Sequence, residues 1–297
     1  MRSFDFLMDS SCDLPKALAE EYGFRLLPMM ILMEGKEYPE IFWQSLSVKD
    51  YYAALRNKIK VSTSQVSREK FVQVFTEIAE SGRDVLFVPL SSGISGTHDA
   101  AASAARELSE VYPDRHIIVA DSINATLGHG LLCMLAAKKA DEGLGIVEVA
   151  QWLEKKRDSV FALFTVDDLM FLHRGGRLNR LSAVAGSMLG IKPSLAVSPE
   201  GKLDLRGKVR GRKAALENLV NEMEKCVKPG SQLGIVTITH GDCEEDANYV
   251  AELVKNRYNV GKLYVEMLGA VISAHSGPGT VALFFEGDIT RAEYYKL

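Results

Sequence analysis

Two hydroxyl-rich segments carry the first chemical signal in this chain of 297 residues. Ser62-Thr63-Ser64-Gln65-Val66-Ser67 stands directly before a helical stretch that begins near Arg68. Ser67 is the natural N-cap of that helix, which leaves Thr63 and Ser64 upstream, in a loop able to turn their hydroxyls toward a ligand. The second segment, Ser91-Ser92-Gly93-Ile94-Ser95-Gly96-Thr97, follows a predicted strand and opens a predicted helix. Hydroxyls and unpaired backbone N–H groups therefore gather around Ser95 and Gly96. The N–H groups and dipole of a helix's first turn favour an anion, and open α/β sheets hold ligands at the C-terminal edge of their strands. Ser95 also invites comparison with the nucleophile elbow G-x-S-x-G, but threonine stands where the last glycine belongs. His98 is three residues along a helix from Ser95, whereas Asp99 points elsewhere on it, so the orienting acid of a triad is missing. A serine-dependent acyl hydrolase or transferase using Ser95 is the alternative to an anion-binding role.

Three later segments add candidate ligand contacts. In His173-Arg174-Gly175-Gly176-Arg177-Leu178-Asn179-Arg180, paired glycines bring three arginines close together. The glycines read equally well as a helix C-cap, while a guanidinium fork suits carboxylate or phosphate. The small residues from Ala183 to Gly190 permit close packing or leave room for a narrow apolar ligand. Arg206-Gly207-Lys208-Val209-Arg210 alternates as a half-exposed strand would, either a solvated face or a docking surface for a partner. Gly269 to Thr280 reads as a loop between two closing strands, and it presents His275 between small polar residues and a Gly-Pro-Gly turn. The sequence contains neither the phosphate-loop pattern G-x-x-x-x-G-K-[ST] nor G-x-G-x-x-G. Its four cysteines form no C-x-x-C pair, so no metal site and no cofactor are expected.

The elements that must position these groups follow from patterning. With 47% hydrophobic and 25% charged residues the chain can bury a substantial core, and its length suits two domains. A formal charge of −4 gives no positive field of the kind that draws proteins to nucleic acid. No apolar stretch approaches the roughly 20 residues needed to span a bilayer, and the N-terminus lacks a leader pattern, so a soluble, cytoplasmic protein without a transmembrane segment is expected. Short β-rich runs alternate with helical stretches, which predicts an α/β fold with mainly parallel or mixed sheets. Strands are expected at 4–9, 25–33, 84–89 and 116–120, with helices at 15–22, 48–58, 68–81, 96–111 and 126–142. Asp13 is expected to cap the first of these helices. The order changes after a helix at 148–157, which divides the chain into an N-terminal α/β domain, 1–158, and a C-terminal α/β domain, 159–297. The latter is expected to hold strands at 161–166, 193–197, 202–209, 233–239, 262–268 and 280–285, with helices at 166–172, 212–226 and 244–257.

Taken together, Asp9-Ser10-Ser11-Cys12-Asp13-Leu14-Pro15, Thr63-Ser64-Gln65, Ser91 to Thr97, Gly175-Gly176-Arg177 and His275-Ser276-Gly277-Pro278-Gly279-Thr280 resemble the DegV family over nearly the whole chain. The resemblance implies a bacterial fatty-acid-binding protein of two α/β domains with the lipid between them. By position, it implies that Thr63 and Ser95 bind the carboxylate, with Arg177 and His275 near the same head group; Ser64 and Gly96, their neighbours in sequence, are further candidate contacts. It further implies a non-catalytic subunit, with a long-chain fatty acid as its ligand. The acyl chain would be buried and its carboxylate presented to a separate ATP-dependent kinase subunit, for which the basic run with Arg206, Lys208 and Arg210 is the candidate partner-facing patch. Val66 stands where the family often has proline, which leaves the turn after Thr63 less stiff.

Overall fold

The computed structural model describes residues 2–178, 190–228 and 230–297. Arg180 and the small-residue run up to Leu189 lie outside the described residues. The first half contains β1 (Phe4–Asp9), α1 (Lys16–Glu21), β2 (Phe24–Leu27), β3 (Met29–Met33), β4 (Lys36–Glu40), α2 (Val48–Arg56), β5 (Val61–Ser64) and α3 (Arg68–Glu80). It continues through β6 (Asp84–Val88), α4 (Thr97–Val111), β7 (Ile117–Val119), α5 (Thr126–Asp141) and α6 (Ile146–Lys156). The second half contains β8 (Val160–Thr165), α7 (Met170–Arg174), β9 (Ile191–Val197), β10 (Leu203–Arg210), α8 (Arg212–Glu224), β11 (Gln232–His240) and α9 (Glu244–Arg257). β12 (Asn259–Met267), α10 (Ala270–Ser276), β13 (Val281–Glu286) and α11 (Arg291–Tyr294) complete it.

Three sheets result among the described residues. A parallel sheet of order β2-β1-β6-β7 forms the first, and β4-β3-β5 forms a small antiparallel one beside it. The third runs β10-β9-β8-β13-β11-β12, antiparallel except for its β11–β12 pair. The fold is therefore mixed α/β, with the parallel arrangement confined largely to the first half.

The predicted strand at 25–33 is two strands. Pro28 lacks the N–H a ladder requires, and it separates β2 in the parallel sheet from β3 in the small one. Asp13 does not cap α1. Its backbone is left-handed (φ 53°), the N-cap is Pro15, and the Asp13 carboxyl is buried, which pushes its pKa well above the usual carboxylate range.

Helix α5 explains how the sheets share a core. Apart from Lys138, Lys139 and Asp141 in its last turn it is apolar nearly all round, the pattern of a helix with no solvent face. It packs between the parallel sheet, where Phe6 and Met8 of β1 and Leu86 of β6 meet it, and the inner face of the third sheet at Ala162, Phe164, Ala282 and Phe284. The opposite face of the parallel sheet is covered by α3 and α4, and the outer face of the third sheet by α8 and α9. No helix among the described residues is long and apolar enough to cross a membrane.

Candidate functional site

The parallel order β2-β1-β6-β7 reverses direction from β1, so its switch point lies between β1 and β6, the usual location of a ligand crevice in such sheets. Asp9, at the end of β1, is fully buried there. Its Oδ1 accepts from Ser11 N at 3.1 Å and its Oδ2 from Leu90 N at 2.7 Å, which fixes the start of the β6–α4 loop. Ser10 Oγ accepts from Met29 N at 2.9 Å and ties β3 to the same point. These two residues, which carry no role in the sequence reading, anchor the segments that carry Ser95 and Thr63.

Strand β5 alternates half-buried and exposed residues, which turns Thr63 inward and Ser64 outward. Ser64 consequently faces solvent, with its hydroxyl on Gln65 O at 3.3 Å, and does not join the other candidates. This corrects the grouping of Ser64 with Thr63. The segment is not a loop: its pairing with β3 (Ile31 opposite Thr63) imposes the period of a strand. Ser67 caps α3, accepting from Lys70 N at 3.2 Å.

Helix α10 is the other departure. The segment expected to be a loop is helical from Ala270 to Ser276, and His275 sits in its last turn. The imidazole is more packed than presented. Its Nε2 is hydrogen-bonded to Thr63 Oγ1 at 2.8 Å, and a Cβ at position 175 would lie 2.5 Å from its Nδ1, so only glycine fits there. Burial, reinforced by the nearby Arg177 cation, lowers its pKa to about 4.

Arg177, just beyond the Gly175-Gly176 turn that ends α7, donates from Nε to Ile94 O at 3.3 Å and from Nη1 to Gly175 O. It thereby joins the second half to the β6–α4 loop. Ser95 Oγ is hydrogen-bonded to Thr97 Oγ1 at 2.9 Å and accepts from Thr97 N at 3.2 Å. His98 turns instead to Asp99, 3.0 Å away on an exposed surface, so Asp99 does reach the histidine, but the pair does not include Ser95.

Thr63, Ser95, Arg177 and His275 line one cavity. The rest of its wall is largely hydrocarbon, including Met29, Leu90, Ile94, Phe164, Leu268 and Phe284. Gly96, the N-cap of α4, lies just outside on a shallower surface formed with Gly93, Gly176, Lys202 and Leu203. An outer basin shares Thr63, Arg177 and His275 with the cavity and adds Lys58, Lys60 and Arg174. Arg174 itself stacks on Phe171, 4.9 Å from the ring centre.

Arg206, Lys208 and Arg210 are exposed on the edge strand β10, whose first residue, Leu203, reaches the cavity. Arg206 is engaged within the chain, its guanidinium lying over the rings of Tyr294 and Tyr295 at 4.8 and 4.3 Å.

Fold and site together define an α/β protein with a largely apolar cavity whose wall includes Thr63, Ser95, Arg177 and His275. The chain belongs to the DegV family, whose model, described as one of uncharacterised proteins, matches residues 3–288. A DegV domain-containing protein of Clostridium perfringens is 38% identical over 97% of this chain and 99% of its own length. Among solved structures, a fatty-acid-binding DegV family protein from Thermus thermophilus superposes with a TM-score of 0.84 at 30% identity, covering 97% of this chain and all of its own. A DegV lipid-binding protein from Thermotoga maritima gives a TM-score of 0.85 at 28% identity, covering 98% of this chain and 100% of that one.

Proposed function

We propose that this chain binds a long-chain fatty acid, burying the acyl chain in the apolar cavity and holding the carboxylate at its polar side chains. One observation carries the reading. Four segments far apart in sequence bring Thr63, Ser95, Arg177 and His275 to the wall of one cavity, where Thr63 bonds His275 and Arg177 bonds the carbonyl of Ile94 beside Ser95, and the rest of the wall is largely hydrocarbon. Each methylene buried contributes about 0.8 kcal/mol, so the chain supplies most of the affinity. The head group supplies orientation, because an ionised carboxylate is costly to bury unless it is hydrogen-bonded. Thr63 and Ser95 are neutral donors suited to that task, and Arg177 compensates the charge. The fatty-acid and lipid binding described for the Thermus and Thermotoga proteins supports the same assignment.

On this reading the protein is a cytosolic carrier without chemistry of its own. The carboxylate faces the basin lined by Lys58, Lys60 and Arg174, whose positive field favours anions. A separate kinase subunit transfers the terminal phosphoryl group of ATP to it, yielding acyl phosphate and ADP. The absence of a phosphate-loop pattern from the sequence is consistent with the ATP site lying on another chain. Lys208 and Arg210, on the strand that begins beside the cavity, form the partner-facing surface together with Arg206.

Mass spectrometry of gently purified protein tests the ligand. Recovery of a long-chain fatty acid in near-stoichiometric amount is expected. Recovery of none, together with no fatty-acid binding in solution, overturns the proposal.

A further inference from the structure

The sheet wall of the cavity is built from small and large residues in alternation. Strands β8 and β13 turn Ala162, Phe164, Ala282 and Phe284 toward it. Their antiparallel register makes two cross-strand pairs of opposite sense, Phe164 beside Ala282 and Ala162 beside Phe284. On the reverse face the same strands pair Phe161 with Phe285 and Leu163 with Leu283, large against large. Alanine is depleted in strands because it packs poorly on a pleated surface. Its use at both cavity-facing pairs therefore opens space where bulk would otherwise be expected.

The two pairs lie at different depths. β13 begins directly after Thr280, close in sequence to His275, so the Phe164–Ala282 pair comes first. The Ala162–Phe284 pair is two residues deeper, about 7 Å at the usual strand rise. The deeper ring is held in place: helix α5 presses so closely at Gly128 that a Cβ there would lie 2.7 Å from Phe284 Cδ1. The two alanines consequently lie on a diagonal of the sheet, each opposite a phenyl ring.

Resting on the fatty-acid reading above, we propose that Ala282 and Ala162 select the acyl chain. Ala282 provides clearance for every long unbranched chain, and Ala162 sets how far beyond the first pair a chain extends.

The test is a binding series with laurate, palmitate and stearate on the full chain, using Ala162→Val, Ala162→Leu, Ala282→Leu and Phe284→Leu, each checked for cooperative unfolding. The Ala162 variants are expected to leave laurate affinity within about twofold and to weaken stearate by about fourfold per methylene excluded. Ala282→Leu should weaken all three, and Phe284→Leu should move the preference toward stearate. If Ala162→Leu fails to fold, Ala162→Val and Phe284→Leu decide. Unchanged chain preference in folded variants, or equal weakening of all three ligands by Ala162→Val, overturns the inference. Failure of the wild-type chain to bind any of the three instead overturns the fatty-acid reading on which it rests.

Discussion

Thr63 Oγ1 and His275 Nε2 lie 2.8 Å apart, and burial together with Arg177 keeps His275 neutral down to a pKa of about 4. In the unfolded chain the same imidazole titrates near 6.5. Between these values the unfolded state holds the extra proton, so stability is fully present above pH ~6.5 and is lost as pH falls toward 4. The loss attributable to this group is about 3 kcal/mol. Denaturant unfolding of the wild type and His275→Gln across that window should show the variant lacking this part of the slope; identical slopes would contradict the assignment. Thr63, Ser95, Arg177 and His275 were legible in the sequence as candidate ligand contacts, and all four line one cavity. The bond between Thr63 and His275 was not, because it joins positions 212 residues apart whose approach depends on α10.

At the scale of elements, the regular stretches were read well where local signals were strong. β1 and the start of α3, with its Ser67 cap, match the expectation from patterning. β5 and α10 were missed for a shared reason: both are short, and tertiary contacts define them. β5 exists through its pairing with β3. α10 packs against buried side chains, and Tyr51 and Tyr52 of α2 donate to Ala270 O at 2.6 Å and Leu268 O at 2.7 Å beside its N-terminus. Asp9 exerts its influence at this scale too. It does not itself line the cavity, yet through its bond to Leu90 N it fixes the loop that carries Ser95. Asp9→Asn exchanges an acceptor pair for one acceptor and one donor facing a backbone N–H. It should cost about 2–3 kcal/mol of stability in urea unfolding and also weaken fatty-acid binding. A destabilised variant with wild-type affinity would separate the loop from the site.

Across the whole molecule, the strands of the first two sheets all precede residue 120 and those of the third all follow residue 159, which is the pattern behind a division at 158. We propose that the halves 1–158 and 159–297 are structural units that depend on one another, since α5 is buried against both. Arg291, itself fully buried, reinforces the join by donating to Ile123 O, Ser198 O and Arg157 O at 2.8–2.9 Å. Residues 1–158 expressed alone should therefore expose the inner face of α5 and unfold without cooperativity; a sharp transition would contradict this. The change of element order suggested a division near 158 and the family resemblance a ligand site between the halves, but the shared helix was not foreseeable, since an all-round apolar helix does not announce its second neighbour. The central claim is that Thr63 and Ser95 hold the carboxylate of a buried fatty acid, and palmitate labelled with carbon-13 at its carboxyl carbon tests it directly by NMR. One slowly exchanging bound resonance is expected, displaced in Thr63→Val and in Ser95→Ala with affinity lowered about tenfold or more in each. No bound resonance, or one that neither substitution alters, would contradict the account.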